Sequence, residues 1–561
     1  MHPTTSRPTV TLALASAGIL VLNLMKPLPL QSEALKRDAP ASSHLKRLGN
    51  HTFPVTTRSK EAQRAFDRGL TLAYAFSHHA AEQEFQAAAD ADPQCAMAYW
   101  GIALVNGPHI NFPMVPEEKA RKASAAMAKA NALAQKAGPL EQELIAALDQ
   151  RYAQPQPEDR SALDQAYAKA MAVVWQAHPS NADVATLCAE ALMDLHPWDL
   201  WTESGPQPWT PEIVTLLEKA LVLNPNHPGA LHLYIHAVEA SNQPEKALAA
   251  ADQLLTLVPD ASHLVHMPSH IYARVGKWSE AADSNRKAER ADQTFRSAYP
   301  RPGFYAMYMA HNTHFLAFTA MMQGKSKEAW ELAKNMVHGV PDDFKSQYEP
   351  VVDGYMVFRS EVLMRFGRWE EMLQEPEPAE PFLLSRALWR FTRAVALTSL
   401  GRLEEARAER ELFLKAQAAV PADRTFGNNT AADLLQVALY TLDGEMAAKE
   451  DKFDEAVALL AKAVACEDKL RYDEPPDWIQ PVRHTLGAVL LRARRAQEAE
   501  QVYREDLAKY RENGWSLMGL RDALTQQGET AKAKEVDLRF QKAWANADVL
   551  PKATCYCQEQ K

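Results

Sequence analysis

The sequence predicts an all-α superhelix, a solenoid of about nine stacked helical hairpins. Three observations predict it. The chain is rich in Ala, Leu, Glu, Gln, Lys and Arg, has only 21 Gly in 561 residues, and lacks long Val/Ile/Thr alternations, a balance that favours helix nearly throughout. A turn followed by a helix start recurs as GKWSEAA at 276–282, GRWEEM at 367–372, GRLEEA at 401–406, DKFDEA at 451–456 and RAQEAE at 495–500. Landmark residues return at a fixed interval: Pro225 and Pro259, Ala247 and Ala281, and Ala499 and Ala533 are each 34 residues apart. A period of this length is the mark of a repeat array.

Near the N-terminus the same unit can be registered in full. Gly69, Ala81, Phe85, Ala88 and Pro93 fall at positions 8, 20, 24, 27 and 32 of a 34-residue unit. Small residues at 8 and 20 let two helices touch, the aromatic at 24 fills the gap, and Pro ends the second helix. In these features the chain resembles the tetratricopeptide repeat family over most of residues 60–546. The phrases HLVHMPSHIYARVGKW, HNTHF, FSHHAAEQEFQAAADADPQCAMAYWGIAL and YDEPPDWIQPVRHTLGAVLL resemble a group of exported bacterial members. That resemblance implies a tetratricopeptide-type solenoid and no particular reaction.

The chain divides as follows. Residues 1–30 read as a signal peptide or N-terminal anchor: one Arg, then the apolar run TVTLALASAGILVLNLM, near the lower limit for a bilayer span. The protein is therefore expected to be exported, periplasmic or secreted, touching a membrane only through that segment if it is uncleaved. Residues 31–59 form a linker and 60–135 the N-terminal hairpins. Residues 136–225 are helical with the Trp/Pro-rich loop LHPWDLWTESGPQPWTP at 195–211. Residues 226–335 are the central hairpins, and 336–480 carry further hairpins and the acidic, Pro-braced loop YDEPPDWIQP. Residues 481–546 are the C-terminal hairpins and 547–561 a tail. Residues 292–306 and 338–352 read as irregular. The formal net charge of −10 and the absence of a basic block exclude nucleic acid as the expected partner.

Histidine placement is the chemical signal. With repeat starts at 228, 262 and 310, His232 and His236 take positions 5 and 9, His263, His266 and His270 take 2, 5 and 9, and His311 and His314 take 2 and 5. Residues three, four and seven apart share one helix face, and in this architecture that face lines the concave groove. Imidazoles at i, i+3 or i+4 are the usual helical way to offer two nitrogens to one metal ion. Such a set suits copper, zinc or iron rather than magnesium or calcium. Seven imidazoles exceed one tetrahedral ion, so either two ions bind or some rings support others; paired three-histidine sites are how dicopper oxygen centres are built.

Glu239, at position 12, reads as a ligand or a base near bound water. Tyr272, Tyr305, Tyr308 and Asn312 are expected to donate hydrogen bonds around the site, and Arg274 to hold an anionic substrate. Met267, Met307, Met309, Met321 and Met322 read as core or as soft sulfur near copper. His109 is expected to approach the groove from an earlier repeat, whereas His78 and His79 read as surface residues. Cys95, Cys188 and Cys466 read as core, and the Cys555-x-Cys557 pair as an exposed redox or metal pair.

Two functions compete on these observations. One is a metalloprotein, with or without oxidase, oxygenase or hydrolase activity on a small molecule. The other is a scaffold that binds a partner peptide in the groove. Neither a phosphate-cradling Gly-rich loop nor G-x-S-x-G occurs in the chain.

Overall fold

A computed structural model describes residues 45–300 and 303–558; the segment read as signal or anchor lies outside these. The fold is an all-α superhelix of antiparallel helical pairs. Lys60–Tyr74 pairs with His78–Ala91, Ala96–Val105 with Glu117–Leu133, Pro139–Asp149 with Ser161–Ala177, and Ala182–Met193 with Thr210–Leu223. The central pairs are Pro228–Glu239 with Leu248–Leu257, the two segments Ser262–His266 and Pro268–Arg274 with Trp278–Ala298, and Ala306–Met322 with Ser326–Gly339. Phe358–Arg365, Leu383–Ser399, Ala431–Lys449, Val482–Arg492 and Gly514–Gln526 each lead a further pair. Among the described residues the only strands are two-residue pairs, Trp201–Thr202 with Gly205–Pro206 and Thr425–Phe426 with Asn429–Thr430. Among them, too, no helix is long and apolar enough to cross a membrane.

Local chemistry explains the hairpins. A Cβ on Gly69 would sit 2.8 Å from the Phe85 ring, and one on Gly101 would clash with the same ring. Gly487 and Gly519 stand in the same relation to Tyr503 at the other end of the array. One aromatic side chain is thus clamped between the first helices of successive repeats at both ends. Ser59, Asn181, Thr430 and Asn513 cap helix starts by accepting from a backbone N–H, which satisfies a donor the helix leaves open. The hairpin turn needs a left-handed residue. Gly276, Gly324, Gly367 and Gly401 supply it, with φ between 64° and 80°.

Two sequence expectations need correction here. The helix Trp278–Ala298 runs through the first seven residues of 292–306, because no Gly or Pro interrupts DQTFRSA. Asp342–Gln347 and Glu349–Val352 are likewise helical within 338–352.

The array coils far enough to close on itself. Trp278 Nε1 donates to the Arg511 carbonyl at 2.9 Å, and Trp515 Nε1 to the Met321 carbonyl at 2.9 Å. The Asp548 carboxylate accepts from the Ser326 amide at 2.7 Å. Arg274 lies over the Tyr472 ring at 5.6 Å, so the acidic loop is brought against the central repeats. The concave wall at the central histidines is therefore covered: His232 and His266 have no solvent exposure.

Candidate metal centre

Three consecutive first helices bring the histidines together. The middle one is interrupted at Pro268, whose missing N–H breaks the helical ladder between His266 and His270. Six imidazoles fall into two sets of three, His232, His236 and His263 in one and His266, His270 and His311 in the other, each with one ligand atom per residue within 4.8 Å of the others.

The two sets are built to one rule. Positions 5 and 9 of one repeat meet position 2 of the next. His232 Nε2 faces His263 Nε2 at 3.1 Å, and His266 Nε2 faces His311 Nε2 at 3.0 Å. Within the second set His266 Nε2 and His270 Nε2 are 2.8 Å apart. The sets adjoin, with ring centroids 5.9 Å apart for His263 and His266 and 6.1 Å for His236 and His270.

Outer hydrogen bonds fix which nitrogen points inward. His232 Nδ1 donates to the Tyr74 carbonyl at 2.7 Å. His236 Nδ1 donates to Glu239 Oε1 at 2.8 Å, and His270 Nδ1 donates to Glu239 Oε2. His266 Nδ1 donates to Asn285 Oδ1 at 2.6 Å, whose own amide is oriented by the Ala281 carbonyl. A ring that spends its proton on Nδ1 presents a bare lone pair at Nε2. In His266 and His270 both Nδ1 atoms are so committed, so two lone pairs face each other at 2.8 Å. Only a cation, either a metal ion or an added proton, makes that approach favourable. Buried His236 Nε2 has no hydrogen-bond partner.

Electrostatics favour the neutral form in five of the six rings and the charged form in His270. Burial, and then the neighbouring imidazoles, hold His232, His263, His266 and His311 well below the usual imidazole range. Burial would also lower His270, but the Glu239 carboxylate more than offsets it and raises the ring. Burial likewise opposes charge on Glu239, yet His270 and His236 pull the carboxyl down to about 2. Burial raises Asp473 to about 6 and Glu474 to about 7, and His270 draws both back.

Of the other sequence-predicted residues, Glu239 and Tyr308 stay at the cluster, and several others are turned to other partners. His314 points away and packs edge-on against Phe358 and Tyr355, with centroids 4.5 and 5.4 Å off. The third copy of the rule is incomplete, because position 9 of that repeat is Phe318. Arg274 is occupied by the carbonyls of Glu239 and Ser241 at 3.0 and 2.9 Å, so it braces the helix end instead of facing a substrate. Tyr272 donates to Asp252 on the second helix of the preceding hairpin. Asn312 donates to Ser262 and Asp292, behind His263. Glu239 takes the role of Nδ1 acceptor for two rings. The Tyr308 ring lies 4.7 Å from His263. Met267, Met309, Met321 and Met322 are buried in the main core, and Met307 lies partly buried beside a second cluster. His109 is buried 4.9 Å from Phe76, and His78, read as a surface residue, is half-buried against it at 4.3 Å.

Sequence reasoning missed Tyr74, Asn285, Phe76 and Trp198. A backbone carbonyl acceptor leaves no sequence signal. Phe76 did leave one: it occupies the turn position that Gly276 fills two hundred residues later. Phe76 keeps the left-handed conformation there at φ 54°, and Trp198 does so at φ 58°. Phe76 covers His232 and His263 at 4.6 and 5.5 Å, and Trp198 meets His236 at 5.2 Å. Bulky residues in this region are strained, and such strain gathers at functional sites. His311 alone of the six retains partial exposure.

No family model matches the sequence, and no curated protein matches it. Among solved structures it is similar to a human IFIT1 dimer with m7Gppp-AAAA, with 12% identity and a TM-score of 0.32 over 88% of this chain and 92% of that one. It is similar to the Cut9–Hcn1 hetero-tetramer of the APC/C, with 13% identity and a TM-score of 0.32 over 87% of this chain and 78% of that one. Yeast Tom70 follows at 12% identity and a TM-score of 0.29 over 85% and 92%. Likeness this distant bears on neither the histidines nor their chemistry.

Proposed function

We propose that this solenoid is a binuclear metalloprotein. Each three-imidazole set would hold one transition-metal ion, and the two ions would share a chamber open to a small molecule at His311. The observation that carries this reading is the bare Nε2 lone pairs of His266 and His270 facing each other while both Nδ1 atoms are tied to outer acceptors. A bound ion would take up both lone pairs, as a single shared proton would.

The ligand set narrows the metal. Neutral nitrogen donors without a carboxylate or thiolate among them suit copper and zinc, with iron less favoured. Pairing two such sets side by side favours copper and small-molecule oxygen chemistry over zinc hydrolysis. The metal would supply the redox or Lewis-acid step. The chain's own part is to hold the rings, through Glu239, Asn285 and the Tyr74 carbonyl, and to keep water out with Phe76, Trp198 and Phe315. Phe315 lies 5.1 Å from His270 and 5.5 Å from His266.

The scaffold reading is supported by the architecture itself, a helical-repeat solenoid. It would place a partner on the outer helical faces, because the histidine wall is covered.

Metal analysis of protein loaded with Cu(I), Cu(II) or Zn(II) and desalted tests the proposal. Two equivalents per chain are expected, falling to one in His232→Ala and to one in His266→Ala. A chain that retains no ion, or variants that retain both, leaves only the scaffold.

A further inference from the structure

Away from the imidazoles, the C-terminal tail carries a second group of metal-binding atoms. Cys555 and Cys557 form a disulfide and are buried, not exposed as the sequence suggested. Glu445 Oε1 lies 3.9 Å from Cys555 Sγ, and the Gln480 amide nitrogen lies 3.8 Å from the same sulfur. Ligand atoms of Glu445, Cys555 and Cys557 lie within 4.8 Å of one another.

Stability does not explain the pair. A disulfide across one intervening residue closes a minimal loop, and the restraint on the unfolded chain grows with loop length. The tail is already docked without it: Thr554 donates to the His484 carbonyl at 2.6 Å, and Gln558 accepts from Arg492 at 2.6 Å. Nor does a disulfide explain the polar atoms around it. Glu445 Oε2 and Gln480 Oε1 are buried and have no hydrogen-bond partner, on residues 3% and 8% exposed. Unpaired buried oxygens beside an apolar S–S bond are unfavourable. They become ligands once a cation stands between them and two thiolates. Turning the Gln480 amide about its last bond exchanges nitrogen for oxygen at the sulfur.

We propose that Cys555, Cys557 and Glu445, with the Gln480 amide oxygen as fourth donor, form a redox-gated site for one thiophilic divalent ion such as zinc. A dithiol reductant attacks one sulfur of the Cys555–Cys557 bond and leaves as its own disulfide, and the pair takes up two electrons and two protons. Zn(II) then displaces the two thiol protons to solvent and takes Glu445 as its carboxylate. Thiolates and a carboxylate are among the donors that tetrahedral zinc takes. Reoxidation by an external disulfide removes the thiolates and frees the ion.

The site does not depend on the imidazole centre, and its test reads sulfur alone. Full-length protein is reduced with dithiothreitol, desalted without oxygen and titrated with Co(II). A thiolate-to-cobalt charge-transfer band of one-site intensity is expected, saturating by three equivalents because the two imidazole sets also take Co(II), bleached by Zn(II) and absent from the oxidised protein; nitrogen and oxygen ligands do not produce it. Glu445→Gln should weaken Co(II) at least about tenfold, in the range for loss of a metal-site partner. Cys557→Ser should abolish the band while helical circular dichroism is kept. If Cys557→Ser does not fold, the comparison of oxidised with reduced wild type decides alone. No band in the reduced protein, or the same band in Cys555→Ser/Cys557→Ser from other cysteines, overturns the proposal.

Discussion

His236 and His270 hang from the two oxygens of one carboxylate. Glu239 Oε1 takes the Nδ1 proton of His236 at 2.8 Å, and Oε2 takes that of His270 from the next repeat. One residue therefore sets the tautomer of a ring in each three-imidazole set. Glu239→Gln offers one acceptor and one donor where two acceptors stood. One ring must flip its proton to Nε2, and a protonated Nε2 cannot bind metal. The expected result is a loss of affinity of about 10–100-fold at one set or both, read by chelator competition with circular dichroism as the folding control. Unchanged affinity would remove Glu239 from the centre.

The sharing of ligands across repeats makes a second prediction. His263 sits on the same helix pair as His266 and His270, yet it belongs with His232 and His236. His263→Ala should release the first ion and leave the second, and His311→Ala should do the reverse. Metal content per chain, with electron paramagnetic resonance of the copper form, separates the two. If His263→Ala instead disturbs the spectrum of the His266 set, the pairing rule is wrong.

How much of this was legible in the sequence follows from which forces leave a periodic trace. Helix faces repeat, so the hairpins and the histidine positions 2, 5 and 9 could be read directly. The offset between neighbouring repeats could not, because it depends on superhelical twist and on insert length. His232 and His263 are 31 residues apart, whereas His266 and His311 are 45 apart, for the same contact. The long helix Trp278–Ala298 and the added residues between it and Ala306 account for the difference. His314 was included because it lies on the expected face. Its exclusion comes from Phe318, which stands where a position-9 histidine would complete the set. The burial of the centre under Phe76, Trp198 and the Tyr472 loop rests on contacts across hundreds of residues that no local pattern carries.

His314 offers a pH test that leaves the metal ligands alone. Burial against Phe358 and Tyr355 lowers its ring to about 3. The folded pKa is below the unfolded value, so the unfolded chain takes up the proton first as pH falls through about 6.5. Wild type should therefore lose stability relative to His314→Gln between pH 6.5 and 3, by about 1.4 kcal/mol per unit and roughly 2 kcal/mol by pH 5. Urea denaturation of the two metal-free proteins at pH 7 and pH 5 gives the difference. A constant gap between them would show that His314 titrates normally. Metal content at pH 7 should be the same in both.

Phe76 ties backbone strain to access. Most hairpins with a left-handed turn use Gly there, and the ring that stands in its place is packed over His232 and His263 with φ at 54°. Phe76→Ala loses the buried ring, about 3–5 kcal/mol, and keeps the unfavourable left-handed backbone. Phe76→Gly loses the same ring but removes that strain, about 1–2 kcal/mol. The glycine variant should thus be the more stable of the two, the reverse of the order inside a helix. Both should release metal to a chelator faster than wild type, because the cover over the first imidazole set is gone. Urea midpoints rank the variants, and stopped-flow chelation measures release. An alanine variant as stable as the glycine one would show that the turn is unstrained, and unchanged release would show that metal leaves by the His311 side.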